Sequence, residues 1–314
     1  KDRYVRSILL GLTASFFFTL AFVCNRSMDL SGGYWVWSGV LRYLFMAPIL
    51  LILVAGRKRL GASLGHLKTH LGQYLLWSTV GFGLFYAPLC FAAAYGEGWL
   101  VASTCQITIV AGPLLLPFII GRDKRPPGLA GSLSLIPWRG MRWSVLILAG
   151  VAVMQWEHAR SVSPAQVLLC VLPLLFAAFM YPLGNRKMMA ICKDEVDTFQ
   201  RVLNMTLASL PFWLLLAIYG GVSYGAPSTG PLTQSALVAL FSGVVATLLF
   251  FSATNLVKRN PTQLAAVEAT QSGEVLFALA GEIVLLAAPL PALTSLLGMA
   301  LVIIGMILHS LRKA

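Results

Sequence analysis

Charge is what this chain has least of. Of its 314 residues only 11% are Asp, Glu, Lys or Arg, and only 11 are acidic. A soluble domain carries about a quarter charged residues, so a surface facing water on every side is excluded. Histidine is scarce too: His66, His70, His158 and His309 fall in predicted loops or at the ends of apolar runs. The sequence has no Ser-His-Asp or Cys-His grouping, no metal-ligand spacing and no Walker sequence for ATP. The chain is therefore expected not to be an enzyme, and to hold no cofactor and no metal. The five cysteines (Cys24, Cys90, Cys105, Cys170, Cys192) include no CxxC pair and mostly lie in apolar segments. That placement suits packing and not a disulfide framework. A small-residue cleavage site is also missing: Asn25-Arg26 follows the first apolar run, so that run is expected to be kept as a span.

What fills the chain instead is apolar. Hydrophobic residues make up 58% of it and the mean hydropathy is +0.81. A helix needs about 20 apolar residues to cross the hydrocarbon core. Ten such segments are predicted, at roughly 7–24, 34–55, 72–95, 99–120, 142–157, 165–185, 198–219, 235–257, 262–287 and 290–309. Glycine and proline punctuate the connections, as in Gly32-Gly33, Pro126-Pro127 and Gly225-Ala226-Pro227. The net charge of +12 does not point to nucleic acid, because the basic residues sit in short clusters between apolar runs. With the N-terminus inside, nineteen of the 23 Lys and Arg fall in cytoplasmic segments and only Arg26 and Arg160 outside. The inner clusters include Arg57-Lys58-Arg59, the 121–142 loop with Arg122, Lys124, Arg125, Arg139 and Arg142, and Arg186-Lys187. This bias predicts a multi-pass protein of the cytoplasmic (inner) membrane with both termini cytoplasmic.

The chain also reads twice. Asn25-Arg26-Ser27-Met28 follows the first apolar run and Asn185-Arg186-Lys187-Met188 the sixth. Val101-Ala102-Ser103-Thr104-Cys105-Gln106 lines up with Ala266-Val267-Glu268-Ala269-Thr270-Gln271 at a similar offset, roughly 160–165 residues. Five spans per copy force the copies to point in opposite directions. The expected fold is all-α integral membrane, ten transmembrane helices in two inverted five-helix repeats, 1–157 and 158–314. Inverted repeats are the architecture of secondary transporters.

The end of the chain carries the most specific motifs: Glu268, Gly281-Glu282, Pro291, and Gly298 and Gly305 in a last glycine-containing helix. This pattern resembles the drug/metabolite transporter superfamily, in its ten-helix form built from two EamA-like repeats. The Asn-Arg-x-Met echoes and the large 121–142 loop resemble its multidrug-resistance efflux branch. The first repeat departs from the family by reading Ile120-Gly121-Arg122-Asp123 where the second has Gly281-Glu282. The resemblance implies export of small organic compounds, cationic or amphipathic, against an inward flow of protons. An uptake permease or facilitator for an amino acid, nucleoside or quaternary amine is the alternative.

A charge in a span costs a few kcal/mol, so each one needs a partner, water or a proton. In the ninth span Glu268, Gln271, Glu274 and Glu282 share an arc of about 120°. Glu268 and Glu274 are the expected proton-coupling carboxylates, since a proton and a cationic group can each satisfy such an acid but not together. Gln106 and Gln271 occupy equivalent places and could line both sides of a cavity, while Ser103 stands where the other repeat has Glu268. Arg42 is expected either to pair with Glu97 or Glu157 or to bind an anionic group of the substrate. Arg201, its repeat counterpart, can snorkel to the interface. Tyr86 and Tyr95, with Tyr181, lie deep enough to stack on substrate. Glu282, near the outer helix end, suits a fold-keeping role. The expected partners are a small-molecule substrate, protons and the lipid bilayer, with the chain acting as a monomer.

Overall fold

A computed structural model of the chain describes residues 2–119, 136, 141, 143–193 and 195–310, and among them there is helix and no strand. The helices are α1 (Asp2–Leu30), α2 (Trp35–Gly56), α3 (Leu60–Thr69), α4 (Leu71–Ala93) and α5 (Gly98–Leu114), followed by α6 (Ser144–Ser161), α7 (Pro164–Cys192), α8 (Thr198–Tyr224) and α9 (Thr229–Val257). Next, α10 runs from Pro261–Ala269 through a 3-10 turn, Thr270–Ser272, into Gly273–Leu286, and α11 is Leu293–Ser310. Among the described residues each predicted segment falls mainly on a helix. Seven helices among the described residues are long and apolar enough to cross a membrane, while α5, α11 and the 18-residue α6 are shorter. The boundary set at 157 lies inside α6, which continues to Ser161. Most of the 121–142 loop, with its five arginines and lysines, Gly121-Arg122-Asp123 and Trp138, lies outside the described residues.

Local chemistry sets the helix starts. Ser163 accepts from the Gln166 amide at 3.3 Å while Gln166 Oε1 accepts from the Ser163 amide at 3.0 Å, with Pro164 at the first helical position. Asp197 and Gln200 form the same reciprocal cap on α8, at 2.9 and 3.0 Å. Irregular turns then recur at matching places. A π-turn interrupts α4 at Thr79–Gly83 and α9 at Ala239–Ala246. α5 tightens at Gln106, whose amide bonds the Ser103 carbonyl at 3.2 Å, and α10 tightens at Thr270–Ser272.

Packing follows the small residues, as it must where lipid offers no hydrophobic contrast between helices. α4 meets α7 where Gly81 faces Gly184, and α6 meets α11 where Gly150 faces Gly298. Gly39 of α2 makes room for the fully buried Trp213 of α8, which stacks on Tyr43 at 4.4 Å. Most of the close helix pairs join the two halves of the chain: α1 with α9 and α10, α7 with α4 and α5, α2 with α8, α5 with α10, α6 with α11. The short α3 docks on α8 through polar groups. Ser63 donates to Asn204 Oδ1 at 2.7 Å, and Asn204 Nδ2 donates to the Tyr74 hydroxyl at 3.3 Å. His66 Nδ1 lies 3.0 Å from the same hydroxyl; burial first, and then the neighbouring His70, hold its imidazole below the usual value.

Glu282 is the clearest fold-keeping acid. The first amides of α5 have no cap from Glu97, whose side chain makes no capping bond. Glu282 of α10 accepts them instead, from Gly98 at 2.7 Å and Trp99 at 3.2 Å. Glu282→Ala is expected to lower stability by about 2 kcal/mol, since it strands two buried amides. Thermal unfolding in detergent would register this as a lower midpoint, and an unchanged midpoint would refute it.

Candidate substrate cavity

Where the irregular turns of α5, α9 and α10 come together, a cavity opens between the two halves of the chain. It leaves about 50 Å³ open to the centre of a water-sized sphere, room for a few water molecules in this conformation. Its apolar walls come from α1 (Phe18, Ala21, Phe22) and α4 (Phe85, Leu89). Its polar groups are Arg42, Tyr86, Gln106, Thr108, Tyr181, Ser242, Gln271 and Glu274. A tightened or widened turn displaces the side chains around it from regular spacing, and Gln106, Gln271 and Ser242 all lie in such turns.

Two of the lining groups are an arginine and a carboxyl. Arg42 is 5% exposed and its guanidinium lies 4.2 Å from the centre of the Tyr86 ring and 5.9 Å from that of Tyr43. Its Nε has no hydrogen-bond partner. Arg42 does not pair with Glu157, which lies 3.6 Å from Arg160, or with Glu97, which lies 3.7 Å from His158. Glu274 is also 5% exposed and stands in the first turn of Gly273–Leu286, where the helix dipole favours an anion. Among the described residues no cation pairs with it and no hydrogen bond reaches it. Arg42 and Glu274 share the cavity and do not form a salt bridge with each other.

Glu268 is not part of this lining. Arg186 Nη2 donates to both its oxygens, at 2.9 and 3.1 Å, and Arg186 Nη1 donates to the Gly112 carbonyl at 3.0 Å. Both side chains are mostly buried, at 13% and 17% exposure. The physical reason is helix length. α7 runs to Cys192, well past the predicted end at 185, so Arg186 is a helix residue and not a loop cation. Gly112 then leaves room for its guanidinium, since a Cβ there would fall 2.8 Å from Nη2. Glu268 thus ties α10 to α7 and α5 at one end of the cavity-forming helices.

The remaining predicted residues divide. Tyr86 and Tyr181 line the cavity, Tyr86 also accepting from Asn25 Nδ2 at 3.3 Å. Tyr95 does not line it and packs against Phe91, ring centres 5.1 Å apart. Ser103 donates back to the Trp99 carbonyl at 2.6 Å within its own helix. Arg201 does not snorkel: it is 4% exposed, lies 4.3 Å over Phe251, and leaves Nε and Nη2 without partners. Sequence reasoning missed Phe18, Phe22, Phe85, Thr108 and Ser242, whose residue types do not differ from lipid-facing neighbours. The five cysteines are free thiols, four of them buried. Among the described residues no three of His, Cys, Asp and Glu gather as a metal site requires.

Comparison with known proteins places this chain in a family. Residues 5–314 match the family described as "EmrE: Putative multidrug resistance efflux transporter". The chain is 51% identical over 306 residues to "Uncharacterized protein YjlA" of Bacillus subtilis (strain 168), covering 98% of this chain and 94% of that one. It is 43% identical over 274 residues to "Uncharacterized 42.1 kDa protein in intracellular alkaline protease 3'region" of Shouchella clausii, covering 87% and 71%. A solved structure titled "Crystal structure of protein" superposes with a TM-score of 0.61 at 14% identity, over 97% of this chain and 96% of that one. That likeness concerns the fold alone.

Proposed function

The chain belongs to this EmrE family and is a multi-pass membrane protein of the drug/metabolite transporter superfamily, and from that premise we propose that it exports small organic compounds by proton-coupled alternating access. The observation that carries the reading is Glu274, a buried carboxyl that no group among the described residues satisfies, facing a cavity between the two halves. In a span an ionised carboxylate without a partner is costly. A proton removes that cost, and so does a cationic group of the substrate; the two therefore compete for one site, which is the requirement for exchange. Gln106, Gln271, Cys105 and Tyr181 are the other polar or titratable groups around Glu274, and Arg42 is the cation that shares its cavity.

Alternating access rests on the two halves being inverted copies, each of five spans, with both termini in the cytoplasm. Reciprocal packing supports this. Adding five spans to each helix turns the α1–α9 and α1–α10 contacts into those of α7 with α4 and α5, while α2–α8, α5–α10 and α6–α11 map onto themselves. The paired π-turns and paired tight turns fall under the same exchange. Nineteen cytoplasmic Lys and Arg against two outside support the orientation.

Flux into vesicles tests the function. Purified protein in liposomes is expected to accumulate substrate in the acidic compartment and to move protons the other way. Substrate flux that ignores an imposed pH difference would leave a facilitator, and no flux for any of a broad set of organic ions would remove the transporter reading.

A further inference from the structure

A simple cation fits Glu274 but not the rest of the cavity. Bound there, it would share a low-dielectric space with Arg42, a second positive charge that no carboxylate offsets among the described residues. Like charges confined away from water repel strongly, so a singly charged cation would be bound at one end and opposed at the other. A simple anion meets the reverse difficulty at Glu274 whenever that acid is ionised. The combination that satisfies both is a guest carrying both charges.

The two ends are also built differently. Arg42 offers a planar fork held against Tyr86, with Nε left without a partner for an oxygen acceptor. Glu274 stands among Tyr181, Gln271 and Gln106, where an ammonium finds a carboxylate, amide oxygens and a ring face. The walls between them are aromatic and aliphatic. A second arginine then completes the pattern. Arg201 lies over Phe251 at 4.3 Å as Arg42 lies over Tyr86 at 4.2 Å, and among the described residues neither buried arginine pairs with an acid. They stand at matching places in the two halves, on α8 and α2. Glu274 has no such twin, because the first repeat carries Ile109 and Val110 at that offset.

We infer that the cavity takes a zwitterion, its carboxylate on Arg42 and its ammonium on Glu274, and that Arg201 receives the carboxylate when the two halves exchange conformation. Arg42 faces the cavity in this structure and Arg201 does not. Exchange of inverted halves reverses that relation, so each arginine serves one side of the membrane while Glu274 serves both. The inference rests on the transporter reading and narrows its substrate from a cationic compound to a dipolar one.

Two probe series test it in nanodiscs by calorimetry: phenylalanine with its methyl ester and with 3-phenylpropanoate, and trimethylglycine with its methyl ester and with isovalerate. At least one zwitterion is expected to bind about tenfold or more tightly than both its singly charged relatives. An ester or a plain carboxylate binding as well as its zwitterion, or no zwitterion binding at all, overturns the inference. Because binding is read in the wild-type protein, a failed variant does not blur the result. In vesicles, R42Q and R201Q are each expected to cut flux of the bound zwitterion by about tenfold or more, with R42K and R201K retaining more of it. Normal flux through a folded R201Q overturns the relay. Zwitterion binding with no pH-linked flux would remove proton coupling and leave the substrate class standing.

Discussion

Glu274→Gln is expected to uncouple the protein. One proton exchanged per substrate across a difference of one pH unit sustains about a tenfold substrate gradient, since one unit is 1.36 kcal/mol. Glutamine keeps the size of the side chain and a hydrogen-bonding amide but can neither release nor take a proton. The substrate ratio across vesicles should therefore fall from about ten to about one, while the variant stays folded, because Glu274 makes no hydrogen bond or ion pair whose loss would weaken the helices. Glu268→Gln should behave differently. It breaks the contacts to Arg186 at 2.9 and 3.1 Å and leaves a mostly buried guanidinium facing an amide, so stability should fall with little change in coupling ratio. Accumulation that survives in Glu274→Gln and vanishes in a fully folded Glu268→Gln would return the coupling role to Glu268.

That contrast marks where the sequence was legible. Hydropathy located the helices because each is a long apolar run, and among the described residues the predicted segments fall on helices whose ends differ by up to seven residues. The polar arc of Glu268, Gln271, Glu274 and Glu282 was visible too, because helical spacing is regular. What spacing could not provide is the turn at Thr270–Ser272, which separates Glu268 from Glu274 and leaves only the latter on the cavity. Nor could it locate the end of α7. Nothing in Arg186-Lys187-Met188 stops a helix, and α7 stops only at Lys193, whose φ of 46° breaks it. A loop arginine became a buried ion-pair partner as a result. Arg42 shows the other limit. A charge in a span announces that something must satisfy it, but Tyr86 lies on another helix, and only packing brings the ring beneath the guanidinium.

Gly184→Leu is expected to have the largest effect on folding. α4 and α7 approach most closely where Gly184 faces the backbone of Gly81, inside the π-turn. A Cβ at Gly184 would overlap Gly81 and lie 2.8 Å from the Trp77 carbonyl oxygen, so no rotamer of a larger side chain avoids the neighbouring backbone. Separating the two helices to admit leucine should cost about 3 kcal/mol or more, at the upper end of overpacking. Gly221→Leu serves as the control, because nothing lies within 4 Å of its Cβ position. The contact also bears on the cavity. It holds Phe85 of α4 against Tyr181 of α7, ring centres 4.6 Å apart, and both rings line the site. The smaller change Gly184→Ala should therefore widen the gap between these rings and weaken ligand binding before it unfolds the protein. If Gly184→Leu instead gives a monodisperse protein with the melting midpoint of Gly221→Leu, the close approach of α4 and α7 is not what shapes the cavity.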